Sequence, residues 1–370
     1  MIPINTNLEP LRRSGIRVYT NMAKEVPGCI MLTLGEPDFS TPEPIKAAAM
    51  AALQQDQTHY APNQGCEDLR CAIAQYEGVD PSRVLVTVGA TGALYTALVG
   101  ILNPGDEVIV PQPAFSLYET IVTAAGAKTV HLDTVKTGFQ ITKESLEAVL
   151  TPKTKAIVLN SPNNPTGAVY TAETLAVVKE AVLGKDIYVI CDNVYDRLAY
   201  EPCPDLSHDP DLQDQILLCQ SFSKPWAMTG WRVGYLVAPA ELMGKLLLLH
   251  AAEVAAVPTF LQKACVTALA TDVSAMREEY GRRRDYVLQR LQQMGLSCPR
   301  PAGAFYAFVD ISRFGIGSDA FCTRLIREAG VATVPGSCFG VDTHIRISYC
   351  CSMDALKTGL DRLERFLQTL

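Results

Sequence analysis

Two short segments of the sequence carry side chains suited to chemistry on a small polar molecule. Residues 221–232 read S-F-S-K-P-W-A-M-T-G-W-R, which places Lys224 among apolar neighbours and Arg232 eight residues after it. A lysine in apolar surroundings is unusual, because its charge must be paired or removed. In the segment D-N-V-Y, Asp192 precedes Tyr195 by three positions. These side chains can bind anions and transfer protons, although Asp192 taken alone is also consistent with a helix N-cap.

Two further segments have the composition of ligand-binding loops. Residues 89–92 read G-A-T-G and open a predicted helix. The free backbone N–H groups there, with the Thr91 hydroxyl, can bind an anion, most often a phosphate. A plain strand-to-helix turn is the alternative, because the segment is neither G-x-G-x-x-G nor a Walker A loop. Residues 160–167 read N-S-P-N-N-P-T-G, a rigid loop whose amides, including that of Asn164, can face a pocket.

Short apolar runs precede these polar segments and predict the strands that position them. The runs lie at residues 84–88, 107–110, 128–132, 156–159, 187–190, 216–218 and 233–237. Runs that are apolar throughout predict strands covered on both faces, as in a mainly parallel sheet. Helical periodicity between the runs, as at residues 171–183, makes the fold class α/β. Ligands bind outside the carboxyl ends of such strands, so the polar segments are expected to meet at that edge.

The regions outside this central part predict a second, smaller α/β domain. The predicted elements there are a long helical region at about 260–294, strands at 304–311, 331–334 and 345–349, and helices at 318–328 and 352–370. We divide the chain into residues 1–40, an N-terminal arm with part of the small domain, residues 41–285, the large domain, and residues 286–370, the small C-terminal domain. The uncharged stretch 84–105 is long enough to span a bilayer, but its glycines and its strand–turn–helix pattern favour a buried position.

The composition of the 370-residue chain limits the classes of function. A hydrophobic content of 48% with 19% charged residues predicts a folded core rather than a disordered chain or a coiled coil. The net charge is −7 and no basic block occurs, which argues against nucleic-acid binding. The 12 cysteines form no C-x-x-C pair, so no metal site is expected. Residues 1–16 lack the apolar run of a signal peptide, so free thiols in the cytoplasm are the expectation.

The polar groups at the predicted sheet edge together suit one cofactor. Pyridoxal phosphate offers an aldehyde to a lysine and a phosphate to an arginine and a helix N-terminus. Its ring nitrogen needs an anionic partner, and its 3-oxygen accepts hydrogen bonds from a phenol and an amide. The sequence supplies these partners as Lys224, Arg232, Asp192, Tyr195 and Asn164.

The same segments resemble the class I/II pyridoxal-phosphate aminotransferases, which have the aspartate-aminotransferase-like fold, fold type I. Residues 221–234 read S-F-S-K-P-W-A-M-T-G-W-R-V-G, close to the lysine signature of that family. Further matches, in order and spacing, are L-G-E-P-D-F at 34–39, Tyr60 with Gly65, N-P-T-G at 164–167, D-N-V-Y at 192–195 and Arg346 in I-R-I-S. The resemblance runs from about residue 30 to the C-terminus. It implies a large domain with a mainly parallel seven-stranded sheet and a smaller C-terminal α/β domain.

The resemblance also implies a role for each matching residue. Lys224 would hold the cofactor as an aldimine and then move the substrate proton, Asp192 would pair with the ring nitrogen, and Tyr195 would bind the 3-oxygen. These three are the expected catalytic residues. The expected cofactor-binding residues are Gly89, Ala90, Thr91, Phe115, Asn164, Asp192, Tyr195, Ser221, Ser223, Lys224, Arg232 and Tyr60. Phe115 would stack on the ring, with packing in the core as its alternative.

Substrate recognition is implied in the same way. Arg346 would fork onto the α-carboxylate, assisted by Asn164 and the Gly35 backbone, with a surface salt bridge as the alternative for Arg346. In this family the residue matching Tyr60 commonly reaches the cofactor phosphate of the neighbouring subunit, so the resemblance implies a homodimer. We could not single out an arginine for a distal carboxylate, so the sequence leaves the amino donor open.

The implied activity is transfer of the amino group of an L-amino acid to a 2-oxo acid in a ping-pong mechanism. Relatives with these motifs also cleave C–S bonds by β-elimination, and the sequence leaves this lyase alternative open. A cofactor-sensing regulator would need a DNA-binding domain, for which the chain has neither the length nor the basic composition. A dehydrogenase would need the glycine fingerprint that residues 89–92 lack.

Overall fold

The apolar runs predicted as strands form one seven-stranded sheet in the computed structural model, which describes residues 2, 4–11 and 15–370. The strands are β1 (Ile30–Met31), β2 (Val84–Thr87), β3 (Glu107–Gln112), β4 (Lys128–Asp133), β5 (Thr154–Asn160), β6 (Tyr188–Asp192), β7 (Ile216–Ser221), β8 (Gly234–Val237), β9 (Tyr306–Asp310), β10 (Val331–Ala332), β11 (Val334–Pro335) and β12 (His344–Ser348). The large sheet has the order β2-β8-β7-β6-β5-β3-β4. In this sheet β8 is antiparallel to both of its neighbours, β2 and β7, whereas the other adjacent pairs are parallel. The sheet is therefore mainly parallel, as predicted.

Helices cover both faces of this sheet. The α-helices of the described chain are α1 (Gly15–Lys24), α2 (Glu43–Gln54), α3 (Glu67–Glu77), α4 (Gly89–Ile101), α5 (Leu117–Ala124), α6 (Lys143–Glu147), α7 (Ala172–Val182), α8 (Ala240–Val254), α9 (Thr259–Leu269), α10 (Ser274–Gln293), α11 (Ser318–Arg324) and α12 (Met353–Leu367). Side chains of α2, α3, α7 and α9 share a core with one face of the sheet, and side chains of α4, α5 and α8 share a core with the other. This arrangement explains why the strands are apolar throughout.

Alternation along a single strand divides the two cores. In β5, Ile157 and Leu159 belong to one core, whereas Ala156 and Val158 belong to the other. Successive side chains of a strand point to opposite faces, so a strand buried on both faces must be apolar at every position. The apolar residues end where polar Asn160 ends β5.

A second group of elements surrounds a separate core. Strands β11, β12 and β9 form a three-stranded antiparallel sheet, and β1 pairs in parallel with β10. The core of this part includes buried residues of α10, α11 and α12. Through β1, the N-terminal region pairs with the C-terminal strand β10. The boundaries of the two domains at residues 40 and 285 stay a prediction.

Two details of the predicted elements are wrong. The helical region at 260–294 is two helices, α9 and α10, separated by residues 270–273; in this break Asp272 accepts hydrogen bonds from both the backbone N–H and the hydroxyl of Ser274, the first residue of α10. The strand predicted at 331–334 is divided between β10 and β11, which belong to different sheets. The chain passes from one sheet to the other at buried Thr333.

The uncharged stretch 84–105 forms β2, α4 and the turn between them, both elements being buried in the large part. Among the described residues, no helix combines the length and the apolar character needed to cross a bilayer. Several residues in the first sixteen lie outside the described ranges, so the interpretation of that segment stays a prediction.

Candidate active site

The carboxyl ends of the central strands bring the predicted polar segments to one edge of the large sheet. Asn160 ends β5, Asp192 ends β6 and Ser221 ends β7, and the first two are register partners in adjacent parallel strands. Gly234 begins β8 and pairs with Ser221. A Cβ atom on Gly234 would lie 2.6 Å from the carbonyl carbon of Gly89, so the turn before α4 packs against this same edge.

A cavity of about 450 Å³ opens at this edge. Twelve of the predicted site residues line it: Gly35, Ala90, Thr91, Phe115, Asn164, Asp192, Tyr195, Ser221, Ser223, Lys224, Arg232 and Arg346. Gly89 lies directly beneath, in the turn that begins α4. Tyr60 lies outside the cavity and is 94% exposed. The structure therefore brings together residues that are far apart in the sequence, with Tyr60 as the exception.

Lys224 lies in the cavity wall with few groups available to stabilise its charge. Its Nζ donates a hydrogen bond to the backbone carbonyl of Gly35. Burial lowers the pKa of Lys224 to about 8, and the positive charge of Arg346 acts in the same direction. A depressed pKa makes the neutral amine accessible near physiological pH, which is the form that can attack a carbonyl carbon or accept a proton.

Asp192 is a buried carboxylate with one oxygen engaged and the other free. Its Oδ2 accepts a hydrogen bond of 2.5 Å from the hydroxyl of Tyr118, while its Oδ1 has no partner within the described part of the chain. Burial raises the pKa of Asp192 to about 6, against the opposing effect of the Tyr118 hydrogen bond. A buried oxygen without a partner is costly, so this atom is suited to a cationic or hydrogen-bond-donating ligand.

Asn160 connects the end of β6 to the loop that follows β5. Its Nδ2 donates to the backbone carbonyl of Asp192 at 2.9 Å, and its Oδ1 accepts from the backbone N–H of Asn164 at 2.8 Å. The side chain is 4% exposed. One amide thus fixes both the strand that carries Asp192 and the loop that carries Asn164.

The turn before α4 and the segment after β7 form a corner whose donors are suited to an anion. Gly89 has φ = +65°, and a Cβ atom there would lie 2.8 Å from Nη2 of Arg232. Glycine is therefore required at position 89 for two reasons: the left-handed backbone and the close approach of the Arg232 guanidinium. The Ser221 hydroxyl donates to that of Ser223 at 2.8 Å, and both line the cavity beside Arg232. Hydroxyls, a guanidinium and a helix N-terminus are suited to a phosphate.

A second guanidinium, that of Arg346, lies deeper in the cavity wall. Arg346 is 1% exposed, which rules out the surface salt bridge considered for it. Its Nη1 donates to Oδ1 of Asn164 at 2.8 Å and its Nη2 to the carbonyl of Thr33 at 2.6 Å, whereas Nε has no partner in the described ranges. Its guanidinium carbon lies 4.5 Å from the ring centroid of Tyr306. Nε is therefore available to a carboxylate.

Sequence reasoning missed several residues of the cavity. The Tyr306 hydroxyl lies 2.8 Å from that of Tyr195 and shares a hydrogen bond with it, and Thr229 donates to Oε1 of Glu36. Signals existed for Tyr118, which follows Phe115 by three positions, and for Asn160, the last residue of an apolar run. The remaining residues that line the cavity and were not predicted are Ile16, Arg17, Leu34, Leu94, Leu117 and Val194.

Comparison with known proteins accounts for this arrangement. The family "Aminotransferase class I and II" matches residues 27–363. The chain is 40% identical to a probable N-acetyl-LL-diaminopimelate aminotransferase of Bacillus subtilis, over 98% of this chain and 95% of that protein. It is 36% identical to aromatic-amino-acid aminotransferase 2 of Thermococcus litoralis, over 99% of this chain and 98% of that protein. The crystallised aspartate aminotransferase of Thermus thermophilus with maleate superimposes with a TM-score of 0.94 at 36% identity, covering 99% of this chain and all of that one.

The chain belongs to the class I and II aminotransferase family and has the aspartate-aminotransferase fold, fold type I. It is a pyridoxal-phosphate-dependent aminotransferase. The relatives support transamination, and no observation favours the C–S β-lyase that the sequence left open.

The described residues fit the cofactor that this family uses. The unpartnered Oδ1 of Asp192 is suited to a protonated ring nitrogen, and Lys224 supplies an amine of depressed pKa for the aldehyde. The corner formed by Gly89 and Arg232 is suited to the phosphate. Each of these parts of the cofactor would thus face a group of the complementary charge or reactivity.

Proposed function

We propose that the cavity transfers the amino group of an L-α-amino acid to a 2-oxo acid, with Lys224, Asp192 and Tyr195 as the catalytic residues. The observation that carries this proposal is that the Lys224 amine, the Asp192 carboxylate and the Arg346 guanidinium line one cavity. Bound pyridoxal phosphate supplies an electron-withdrawing ring that stabilises negative charge at the substrate α-carbon. The roles of the chain's own residues follow from their contacts.

Lys224 is the proton carrier of the proposed site. With a pKa of about 8, a substantial fraction of its Nζ is neutral at weakly alkaline pH and can accept a proton. The carbonyl of Gly35 accepts a hydrogen bond from this amine and so limits where Nζ can lie. Positioning of this kind is what converts a general base into an effective one.

Asp192 holds the charge that keeps the ring nitrogen protonated. The Tyr118 hydroxyl occupies one of its oxygens and Asn160 fixes its backbone, so Oδ1 is left as the oxygen that faces a ligand. A nearby cation favours the ionised carboxylate and offsets the burial that raises its pKa. Asp192 and the ring nitrogen would thus stabilise one another.

The remaining cofactor contacts are proposed from the cavity lining. The backbone and hydroxyl donors of Ala90 and Thr91, with Ser221, Ser223 and Arg232, would bind the phosphate. Phe115 lines the cavity with its ring partly exposed, as stacking on the cofactor ring requires, rather than lying wholly in the core.

Tyr195 and Asn164 would donate to the 3-oxygen of the ring. The hydroxyl of Tyr195 already shares a hydrogen bond with Tyr306, which fixes its direction. Arg346 engages Oδ1 of Asn164, which leaves the Nδ2 of that amide as a donor.

Arg346 would bind the α-carboxylate of the substrate. Its guanidinium is fixed by two hydrogen bonds and by the ring of Tyr306, and its Nε is free. A buried guanidinium held rigidly gives a charge-assisted bond with defined geometry, which distinguishes it from a lysine at the same place. The relatives carry names that refer to N-acetyl-LL-diaminopimelate, aromatic amino acids and aspartate, so their names do not identify a single donor.

We further propose a homodimer that functions in the cytoplasm. Tyr60 is a large side chain that is 94% exposed in the single chain, as a residue that completes the site of a second copy would be. All twelve cysteines are free thiols, which is typical of a reducing compartment.

Substitution of Lys224 tests the proposed function. In the holoenzyme, borohydride should fix the cofactor on the peptide that contains Lys224, as measured by mass spectrometry. Lys224→Ala should lose this modification, and its turnover should fall by about 10³-fold or more. Lys245→Ala is the matched control, because Lys245 is exposed on α8 and does not line the cavity. Transamination at the wild-type rate by Lys224→Ala would refute the assignment.

A further inference from the structure

Among the described residues, four cationic side chains line the cavity, and all but one of them make hydrogen bonds. Lys224 donates to the Gly35 carbonyl, Arg232 donates to the Thr229 carbonyl at 2.9 Å, and Arg346 makes two hydrogen bonds. Each of these three also has a task in the proposed function. Arg17 lines the same cavity, has no partner among the described residues and has no task in the proposed function.

Arg17 lies in the first turn of α1, at the mouth of the cavity. Its side chain is exposed, and within the described part of the chain no hydrogen bond, ion pair or aromatic ring takes up its guanidinium. Arg17 also lines a larger neighbouring groove of about 980 Å³, so it lies where the cavity continues outward. Its charge is therefore available to a ligand that extends from the cavity.

The negative groups of the cavity do not neutralise Arg17. Two carboxylates line it, Asp192 and Glu36. Asp192 is buried and bonded to Tyr118, and Glu36 accepts a hydrogen bond from Thr229. Within the described part of the chain, neither carboxylate forms an ion pair with Arg17.

Apolar side chains complete this side of the cavity. Ile16, Leu34 and Leu117 line it together with Arg17. An aliphatic chain can remove apolar surface from water against such side chains, and a charge at its end then needs a partner. The guanidinium of Arg17 is a cation that can pair with such a charge if the charge is negative.

We propose that Arg17 determines side-chain specificity by binding an anionic group, a carboxylate, at the end of the substrate remote from the α-carbon. This inference rests on the proposed function, since it assumes that Arg346 binds the α-carboxylate. A guanidinium binds a carboxylate through two parallel N–H donors, and an exposed pair of this kind contributes up to about 1 kcal/mol, or about a fivefold preference. The enzyme is then selective for dicarboxylic amino acids and dicarboxylic 2-oxo acids.

Equilibrium binding to the holoenzyme tests the proposal without turnover. Unreactive diacids are compared by calorimetry with monoacids of equal length: glutarate with pentanoate, adipate with hexanoate, and pimelate with heptanoate. For at least one pair the wild-type protein should bind the diacid about fivefold more tightly, and Arg17→Gln should reduce this ratio to about one. Lys24→Gln removes a positive charge from the same helix outside the cavity and should leave the ratio as in the wild type.

Kinetics supply the second measurement. The ratio of kcat/KM for glutamate to that for glutamine should fall about fivefold in Arg17→Gln, and by less in Arg17→Lys, which keeps the charge but loses the fork. The thermal unfolding of both variants should match the wild type, because the exposed side chain of Arg17 has no partner to lose.

The outcomes separate the two proposals. If the wild type transaminates but Arg17→Gln keeps the wild-type diacid ratio, or if no diacid binds more tightly than its monoacid, the Arg17 inference is overturned and the proposed function stands. A preference for lysine over glutamate as the amino donor would also overturn the Arg17 inference. It would assign the selectivity for the substrate side chain to Glu36. If the wild type transaminates no donor, the proposed function fails, whatever the diacids do.

Discussion

Removal of the charge of Asp192 should stabilise the apoprotein while it weakens cofactor binding. Asp192 is 4% exposed, and its only side-chain partner among the described residues is the hydroxyl of Tyr118. Asp192→Asn has nearly the same shape, and its amide oxygen can keep that hydrogen bond. The substitution therefore removes mainly the buried charge.

The magnitude follows from the pKa of Asp192, which burial raises from 3.8 to about 6. The folded apoprotein holds this proton more tightly than the unfolded chain, so the wild type loses stability as the pH rises through this window. The loss amounts to about 3 kcal/mol from about pH 7 upward and to about 0.5 kcal/mol at about pH 4. Asp192→Asn avoids it, so its advantage should increase by about that difference between the two pH values.

Denaturant unfolding of cofactor-free protein at about pH 4, 5, 6 and 7 measures this advantage directly. Asp196→Asn is a matched control, because burial also raises the pKa of Asp196, to about 7, yet Asp196 does not line the cavity. Both substitutions should stabilise the apoprotein at neutral pH. Only Asp192→Asn should reduce the rise in Tm that pyridoxal phosphate produces, because it removes the anion that faces the ring nitrogen.

Two results would contradict this reasoning. If the advantage of Asp192→Asn does not change between about pH 4 and about pH 7, the Asp192 carboxyl does not carry the desolvation that its burial implies. If cofactor produces the same rise in Tm in Asp192→Asn as in the wild type, Asp192 is not the partner of the cation, and its proposed role is wrong.

Two more predictions concern the phosphate corner and the second subunit. Gly89→Ala should destabilise the protein by about 1–2 kcal/mol and lower its affinity for the cofactor, because φ is +65° and the new Cβ would displace Arg232. Denaturant unfolding and cofactor titration measure the two effects. Gly92→Ala, whose Cβ would meet nothing closer than 3.5 Å, should be tolerated, and equal effects of the two substitutions would refute the reasoning. If Tyr60 completes the neighbouring site of a dimer, mixing the inactive Lys224→Ala and a weakened Tyr60→Phe protein should restore activity in one site per hybrid; no restoration would contradict it.

The large sheet could be predicted because one physical signal dominates its strands. A strand covered on both faces is apolar at every position, as the run Ala156 to Leu159 is, and such runs are easy to recognise. The breaks at Asp272 and Thr333 were not predictable in the same way. At Asp272 two hydrogen bonds to Ser274 lie in the break between α9 and α10. At Thr333 the chain changes sheets, which is a property of tertiary packing rather than of local pattern.

The candidate site was predictable as far as the sheet positions it. Asp192 follows an apolar run, and parallel strands end at a common edge, so topology alone brings such residues together. Tyr118 could not be found by that argument, because it belongs to α5 and reaches Asp192 from 74 positions away. Tyr306 comes from β9 of the other sheet and meets Tyr195 because both side chains are buried in the core of the smaller part.

Arg17 shows most clearly what a sequence pattern leaves out. It belongs to neither an apolar run nor a matched motif, and the sequence of the first turn of α1 does not distinguish this turn from an ordinary helix start. The helix reaches the cavity because Tyr19 is buried in the smaller core and its hydroxyl donates to Asp319 at 2.7 Å, which fixes α1 against α11. The contact that directs Arg17 to the cavity mouth therefore joins residues 300 positions apart. Sheet topology thus positions the candidate site, whereas the packing of an N-terminal helix would determine, in the proposed role of Arg17, which substrate side chain the enzyme selects.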